Sequence, residues 1–174
     1  MKDLLKIKLK TGRLLLEPIS LEYAEIIFRE FTDEIAIHMF PQSPAEIAET
    51  QDFINKSLKE MKSGSNLQFV VLLGDSKEFL GCAGLHDLNK KNPELGIWLK
   101  KSAHGNKYGQ EAIAAIKKWA DENLDYDYLK YPVVVDNIAS RKIPERLGGV
   151  VIQEFEGKNA KGKPMREVEY RIYR

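Results

Sequence analysis

Apolar residues recur every three or four positions in four stretches of the chain, the spacing that places them on one face of a helix. Ser20 precedes the first stretch and belongs to a residue type that caps helices. Residues 43–46, Ser-Pro-Ala-Glu, are typical of a capping box for the second helix, which is expected to end at residues 63–64, Ser-Gly. The third and fourth helices are predicted over residues 109–123 and 138–147. The inward positions of the first three helices are Leu21, Ala24, Ile27, Phe28 and Phe31, then Ile47, Ile54, Leu58 and Met61, then Ile113, Ile116, Trp119 and Ala120.

Runs of branched and aromatic residues between turn signals predict seven β-strands. Residues 74–75 and 89–93 turn the chain between the three central strands, as in an antiparallel meander, and residues 157–164 join the last two. This order of elements predicts one α+β domain over residues 1–174, with a mixed, mostly antiparallel twisted sheet of about seven strands flanked by about four helices. The predicted strands are 13–17, Leu67–Leu73, 79–88, Glu94–Leu99, 131–135, 150–155 and 168–173.

Composition narrows the class of partner. The 174 residues are 43% hydrophobic and 30% charged, with a formal net charge of +1. This balance predicts a globular domain without broad attraction for nucleic acid or anionic membranes, so a small or locally recognised partner is expected. Cys82 is the only cysteine, which excludes an internal disulfide and agrees with a reducing compartment. No apolar run approaches the ~20 residues of a membrane span. We therefore expect a cytoplasmic protein, either a monomer or a homodimer.

The loop that leads into the third helix is the most informative place in the chain. A helix N-terminus presents unpaired N–H groups and a positive dipole end, which favour a bound phosphate or diphosphate. Gly105 and Gly109 let the backbone approach such an anion, and Lys107 adds a charge. The alternative is an ordinary loop with glycine caps and a solvated lysine. Neither a Walker lysine motif nor a Gly-x-Gly-x-x-Gly turn occurs.

Residues 104–109, His-Gly-Asn-Lys-Tyr-Gly, resemble the pyrophosphate loop of GNAT acetyltransferases, Gln/Arg-x-x-Gly-x-Gly/Ala. The flanking residues 94–99 and 110–112 resemble the fourth strand and the helix entry of that family. Downstream, Asn137 and Ser140, followed by Arg-Leu-Gly at residues 146–148, resemble its Asn-x-x-Ser…Lys-Leu-Gly segment. Two further segments, residues 13–16 and 84–87, resemble strands of the Rim branch, the ribosomal-protein N-terminal acetyltransferases.

The resemblance implies an enzyme that uses acetyl-CoA as co-substrate and no metal. Residues 97–99 would hold the pantetheine arm, the loop would hold the diphosphate, Asn137 and Ser140 would line the thiol end, and Arg146 would approach the nucleotide. The implied cofactor-binding residues are Ile97, Trp98, Leu99, His104, Gly105, Asn106, Lys107, Tyr108, Gly109, Gln110, Asn137, Ser140 and Arg146.

Three positions depart from the family pattern. Lys107 replaces the middle glycine of the loop, and Gly149 stands where the family usually has Phe. Pro144 occupies the position of the tyrosine that many GNAT enzymes use as the acid for the leaving thiolate. Ser140 or a water molecule is left for that role.

Acetyl transfer needs a neutral amine, so a base is expected in the site. Glu94 is the leading candidate, because it opens the fourth strand beside the expected pantetheine path; the alternative is a strand-edge carboxylate paired with Lys90 or Lys91. His86 is the second candidate, since strand alternation lets it face the cleft, although a lone strand histidine often only donates a bond to a neighbour. His38 and His104 are weaker candidates, and Cys82 is expected to be buried packing.

The acceptor side is less defined by the sequence. Phe28, Phe31, Phe40 and Trp98 either form a wall of the acceptor pocket or belong to the core, and residues 38–40 are where selectivity is expected. The predicted function is direct transfer of acetyl from acetyl-CoA to a protein or peptide N-terminal amine. A small-molecule amine, such as a polyamine or an aminoglycoside-like compound, is the alternative acceptor. A non-catalytic acyl-CoA-binding sensor is the alternative class.

Overall fold

A single mixed sheet forms the centre of the fold in the computed structural model, which describes residues 3–160 and 162–174. Its strands are β1 (Leu9–Lys10), β2 (Leu14–Pro18), β3 (Leu67–Leu73), β4 (Phe79–His86), β5 (Glu94–Leu99), β6 (Leu129–Val134), β7 (Val150–Lys158) and β8 (Pro164–Ile172). Across the described residues they lie in the order β1-β2-β3-β4-β5-β6-β8-β7. Neighbouring strands are antiparallel except β5 and β6, which are parallel.

Five α-helices accompany the sheet within the described residues: α1 (Ala24–Glu30), α2 (Asp33–Ala36), α3 (Ile47–Ser63), α4 (Tyr108–Asn123) and α5 (Ile138–Arg146). Short 3-10 turns lie at Leu4–Lys6, Leu21–Tyr23 and Lys101–Ala103. None of the described helices has the length and apolar content needed to cross a membrane. The α+β prediction is confirmed, with one more strand and one more helix than expected, because β1 and α2 are too short to give a periodic signal.

Helix starts depart from the predicted capping. Ser20 makes no side-chain cap bond, and the chain passes through a 3-10 turn before α1 begins at Ala24. The capping box at residues 43–46 is wrong: α3 begins at Ile47 without a side-chain cap. The Ser43 hydroxyl donates instead to the Asp33 carboxylate, at 2.5 Å, so it is not available to the helix. The predicted end of α3 is confirmed, since Gly64 has a left-handed φ of 77° and its N–H bonds to the last turn.

The two faces of the sheet carry different helices. Side chains alternate along a strand, so Trp98 and its neighbours Ile97 and Leu99 point to opposite faces. The Trp98 ring lies 4.9 Å from the Phe31 ring just after α1, which places α1 on the Trp98 face. On the other face, a Cβ at Gly109 of α4 would lie 3.7 Å from both Ile97 and Leu99 side chains. Helices α1 to α3 and helices α4 and α5 therefore enclose the sheet from opposite sides.

Strands β5 and β6 separate soon after they meet. On one edge β5 pairs with β4 along its whole length, from Glu94 opposite His86 to Leu99 opposite Gly81. On the other edge the only paired position among the described residues is Glu94 opposite Lys130. The sheet therefore has a wedge-shaped opening between the C-terminal halves of two parallel strands, bounded by backbone on both sides.

Candidate active site

A cavity of about 630 Å³ lies at the opening between β5 and β6. It is lined by side chains from both faces of the sheet, which is possible only because the two strands diverge there. Residues of the α1–α3 side include Phe31, Phe40, Glu49, Phe53 and Lys56, and residues of the α4–α5 side include Ile97, Tyr131, Val133, Asn137 and Ser140. The cavity therefore opens toward both faces of the sheet.

His86 and Glu94 lie opposite each other on β4 and β5, and both line the cavity. Two glycines make room for the imidazole: a Cβ at Gly84 would lie 3.2 Å from His86 Nε2, and one at Gly96 would lie 3.6 Å away. Burial lowers the pKa of His86, an effect that the neighbouring Glu94 carboxylate partly opposes. The imidazole is therefore neutral at neutral pH and able to accept a proton. His86 lines the cavity, as strand alternation allows, and its role as a base stays a prediction.

The Glu94 carboxylate forms an ion pair at 3.3 Å with Lys130, its register partner on β6. The expected structural partners were Lys90 and Lys91, but these pair with Asp87 and Asp125 instead. The difference arises because β6 is added to the sheet by a crossover, which no local sequence pattern reveals. The carboxylate thus lies at the vertex of the β5–β6 opening with one cationic neighbour.

Glu167 on β8 is a cavity residue that the sequence reasoning missed. Burial and the negative charge of Glu94 both raise the pKa of its carboxyl group. No ion pair to Glu167 is present among the described residues, in contrast to Glu94. The sequence carries no local signal for it, because Glu167 comes near Glu94 only after β6 has been inserted between β5 and β8.

The first turn of α5 and β6 together present a pair of hydroxyl groups. The Asn137 side chain caps the helix by accepting a bond from the Ser140 N–H at 3.2 Å. Ser140 Oγ lies 2.8 Å from the Tyr131 hydroxyl, and all three residues line the cavity. Burial raises the pKa of Tyr131 to about 12, although its bond with Ser140 opposes the shift. Tyr131 was read from the sequence only as the start of a strand.

The loop before α4 ends in an uncapped helix N-terminus. Gly105 and Lys107 both have left-handed backbones, with φ of 81° and 62°, and Lys107 is the N-cap residue without a side-chain cap bond. Within the described part of the chain, the first N–H of this helix with an acceptor is that of Glu111, on the Lys107 carbonyl at 3.3 Å. The N–H groups of the preceding turn, which includes Gln110, are therefore available to an anion.

Side chains of the loop residues hold the loop rather than reach into the cavity. His104 Nε2 lies 2.9 Å from the Leu99 carbonyl oxygen, and the Asn106 amide donates to the His104 carbonyl at 3.0 Å. The Arg13 guanidinium donates to the Asn106 carbonyl at 3.1 Å and lies 4.7 Å above the Tyr108 ring. None of these residues lines the cavity.

The structure describes the surroundings of three further positions, Gly109, Gly149 and Arg146. Gly109 is required by packing, because a Cβ there would lie 3.1 Å from the Ile143 side chain of α5. The glycine therefore allows close contact between α4 and α5. Gly149 has no room for the usual Phe, since its Cβ would lie 2.8 Å from the Pro144 carbonyl oxygen. Arg146 is exposed at the last residue of α5 and is not among the residues that line the cavity.

Three of the four aromatic residues line the cavity. Phe31, Phe40 and Trp98 line the cavity, and Phe28 does not. Phe40 is 66% exposed. It belongs to the segment 38–42, all of whose residues, including His38 and Met39, line the outer wall of the cavity. Cys82 is buried, as expected, and burial raises the pKa of its thiol. The described residues contain no group of three or more His, Cys, Asp or Glu side chains arranged to hold a metal ion.

Comparison with known proteins places most of the chain in one family. Residues 13–150 match the family model described as an acetyltransferase (GNAT) domain. A comparison with curated protein sequences finds no significant match. Among solved structures, an acetyltransferase of the GNAT family from Bacillus anthracis superimposes with a TM-score of 0.83 at 18% identity, over 96% of this chain and 98% of that one.

Two other solved structures with the same fold are of acetyltransferases whose ligand or substrate is known. The microcin C7 self-immunity acetyltransferase MccE, in complex with acetyl-CoA and AMP, has a TM-score of 0.83 at 17% identity, covering 94% of each chain. RimL, the ribosomal L7/L12 α-N-protein acetyltransferase, has a TM-score of 0.83 at 15% identity, covering 97% of this chain and 94% of its own. At these identities the likeness is one of fold.

Proposed function

Because the chain belongs to the GNAT acetyltransferase family, we propose that it moves an acetyl group from acetyl-CoA to a primary amine by direct attack in a ternary complex. The observation that carries the proposal is the cavity that passes through the sheet between β5 and β6. Acetyl-CoA enters from the α4–α5 side and the amine from the α1–α3 side. Their reacting atoms then meet in the opening, with no covalent enzyme intermediate.

The coenzyme side uses the features next to β5. The uncapped start of α4 binds the diphosphate through backbone N–H groups and the helix dipole. The pantetheine arm runs along the edge of β5 at residues 97–99, where no strand pairs with it among the described residues. N–H groups of the same edge polarise the thioester carbonyl as negative charge develops on its oxygen.

The base is Glu94, with His86 as the alternative. Both side chains line the cavity at the vertex of the opening, where an amine entering from the α1–α3 side would meet the thioester. Glu94, which is paired with Lys130, takes the amine proton directly or through a water molecule. His86 is the alternative because it lines the same part of the cavity; burial lowers its pKa, which leaves the imidazole unprotonated but also makes it a weaker base.

The acceptor is an N-terminal α-amine of a protein or peptide. An α-amino group with a pKa of ~8 is already about one-tenth neutral at pH 7, whereas a lysine with a pKa of ~10.4 has a deficit of roughly 4–5 kcal/mol. The α1–α3 side of the cavity carries Glu49, Glu94 and Glu167 against Lys56 and Lys130, the partner of Glu94, so one negative charge remains to attract a cationic amine. RimL, which has the same fold, acts on a protein α-amine. A small-molecule amine is the alternative acceptor.

The test is release of CoA thiol from acetyl-CoA with three classes of acceptor: peptides with free N-termini, the same peptides with blocked N-termini, and a panel of polyamines and aminoglycosides. Turnover is expected with the free peptides, and mass spectrometry is expected to locate one acetyl group on the α-amine. Turnover only with small amines would replace the proposed acceptor. A melting shift with CoA but no turnover on any amine would favour a sensor.

Glu94→Gln keeps the size of the side chain and removes the base. It is expected to lower kcat by about 10²-fold while the CoA-induced melting shift is unchanged, because Glu94 lies at the vertex of the opening and away from the α4 N-terminus. Glu78→Gln is the matched control, since Glu78 pairs with Lys100 outside the cavity. Full activity of Glu94→Gln at neutral pH would exclude Glu94, and His86→Ala would then be the variant expected to lose activity.

A further inference from the structure

We propose that Tyr131 acts as a positioning residue: its hydroxyl donates to Ser140 and thereby directs the Ser140 proton into the cavity, toward the sulfur of the departing coenzyme. The inference rests on the proposed acetyl transfer and concerns the leaving-group half of the reaction. The proposed role of Tyr131 matters because Pro144 stands where many enzymes of the family have an acidic tyrosine for the leaving thiolate. Pro144 is buried inside α5 and does not line the cavity.

The geometry fixes both hydroxyl groups. Tyr131 is only 3% exposed and projects from β6 on the α4–α5 side of the sheet. Ser140 lies in the first turn of α5, where Asn137 holds its backbone N–H at 3.2 Å. The two oxygens are 2.8 Å apart, at the side of the cavity that the coenzyme would enter. Neither oxygen therefore needs to move for the pair to act on a bound thioester.

Either hydroxyl could donate at this distance, and counting protons favours Tyr131 as the donor. A phenol has one proton, and Ser140 is the only hydrogen-bond partner of the Tyr131 hydroxyl among the described residues. If Ser140 donated, the buried phenol proton would have no protein acceptor, which is a costly arrangement. If Tyr131 donates, its proton is satisfied and the Ser140 proton is free to point into the cavity. The second arrangement therefore pairs the proton of Tyr131, a residue that is only 3% exposed.

The pair works by hydrogen bonding, without giving up a proton. Burial raises the pKa of Tyr131 to about 12, far above the ~8.5 of an ordinary thiol, so the phenol stays protonated when a thiolate forms beside it. The amine nitrogen bonds to the carbonyl carbon and the base removes the amine proton. The C–S bond then breaks, its electron pair remains on sulfur, and the Ser140 O–H stabilises that charge. The thiolate takes its proton from water on release.

A double-mutant cycle of Tyr131→Phe and Ser140→Ala tests the inference on the full chain, with acetyl-CoA and the best peptide acceptor. Ser140→Ala is expected to lower kcat by about 10²-fold, as for loss of a donor to developing charge. Tyr131→Phe is expected to lower kcat by about tenfold, the value of one hydrogen bond. Because Tyr131 acts through Ser140, the double variant is expected to equal Ser140→Ala, with the KM for acetyl-CoA unchanged throughout.

Tyr170→Phe is the matched control. Tyr170 pairs with Tyr131 in the sheet register and is equally buried, but its hydroxyl bonds to Glu145 and Arg141 and it does not line the cavity. It is expected to lower the melting temperature without changing kcat by more than about twofold. Replacing Tyr131 by 4-aminophenylalanine restores a donor and is expected to restore kcat to within about threefold of the wild type, which also covers a Tyr131→Phe variant that fails to fold.

Several results would overturn the role of Tyr131. These are an unchanged kcat in Tyr131→Phe, a loss that multiplies with that of Ser140→Ala, a change confined to KM, or no recovery with 4-aminophenylalanine. A wild-type protein that releases no thiol with any amine would instead refute the proposed acetyl transfer. The two failures are therefore distinguishable.

Discussion

Lys107 has a backbone conformation that suits glycine. Its φ of 62° lies in the left-handed region, where a residue with a Cβ carries a penalty of roughly 1–2 kcal/mol. It is the N-cap residue of α4 and its side chain is exposed, so no packing requires a lysine. The proposed diphosphate site supplies a reason, because a charge at this point attracts the anion. Stability and coenzyme affinity therefore oppose each other at this residue.

Two substitutions at residue 107 separate the effect of the lysine charge on CoA binding from the effect of the left-handed backbone on stability. Lys107→Gly and Lys107→Ala both remove the charge, and each is expected to weaken CoA binding by about two- to fivefold, as for an exposed ion pair. Only the glycine variant relieves the backbone, so it is expected to melt about 2–4 °C above the alanine variant. Thermal melts and CoA titration of both variants measure the two effects. Equal melting temperatures would show that residue 107 is not left-handed.

Glu167 has a stability effect whose sign follows from its raised pKa. A carboxyl group with a raised pKa is less favourable as a charge in the folded protein than in the unfolded chain. The penalty is present above the folded pKa and absent at a pH well below the unfolded value of 4.5. Glu167→Gln is therefore expected to raise the melting temperature at pH 8, to leave it unchanged near pH 3, and to raise the KM of the amine.

The exposed Glu156 on β7 provides the control for Glu167, because it does not line the cavity. Glu156→Gln is expected to leave the KM of the amine unchanged. If Glu167→Gln bound the amine as well as the wild type does, the carboxylate would have no part in acceptor recognition.

At the scale of elements, the hairpin of β1 and β2 holds the loop before α4 in place. Arg13 at its turn donates to Glu111 Oε2 at 2.7 Å and to the Asn106 carbonyl at 3.1 Å. Thr11 donates to the same carboxylate at 2.5 Å. Burial by itself would raise the pKa of Glu111, but the bonds from Thr11 and Arg13 outweigh it and lower the pKa. The contribution of this cluster to stability is present above the unfolded pKa of 4.5 and is lost as the pH falls through the folded value.

Arg13→Gln is expected to loosen the loop without touching the reacting atoms. The predicted result is a rise of about three- to tenfold in the KM for acetyl-CoA, with kcat changed by less than about twofold. The reason is that a looser loop weakens binding of the coenzyme equally in the ground state and in the transition state. Lys8→Gln removes another cation near the same hairpin, paired with Glu17, and is expected to have no effect. A fall in kcat for Arg13→Gln would mean that the loop also positions the thioester.

Elements bounded by strong local signals were predicted well. Leu67–Leu73 and Glu94–Leu99 have the predicted bounds, because a glycine cap, turn residues and polar loops delimit them. The start of α3 was wrong because the Ser43 hydroxyl bonds to Asp33, ten residues away. Contacts between residues far apart in sequence also limit what could be predicted about the cavity. His86 and Glu94 belong to one antiparallel pair that strand alternation reveals, whereas Glu167 and Tyr131 are added through the β6 crossover and have no local signal.

At the scale of the whole molecule, the sheet lies between the two proposed binding regions, and the cavity connects them. The uncapped α4 N-terminus lies on the sheet face of Ile97 and Leu99. The acidic residues of the α1–α3 side of the cavity, such as Glu49, lie on the opposite face. The divergence of β5 and β6 after Glu94 opens a passage between these two regions. Acetyl transfer requires this connection, because the amine and the thioester must come within bonding distance.

A crystal structure of the protein with bound CoA tests this account most directly. The account predicts that the diphosphate lies at the first turn of α4, that the pantetheine arm follows the free edge of β5, and that the sulfur lies between Ser140 and Glu94. Coenzyme bound elsewhere, or an opening between β5 and β6 closed by the chain itself, would contradict it.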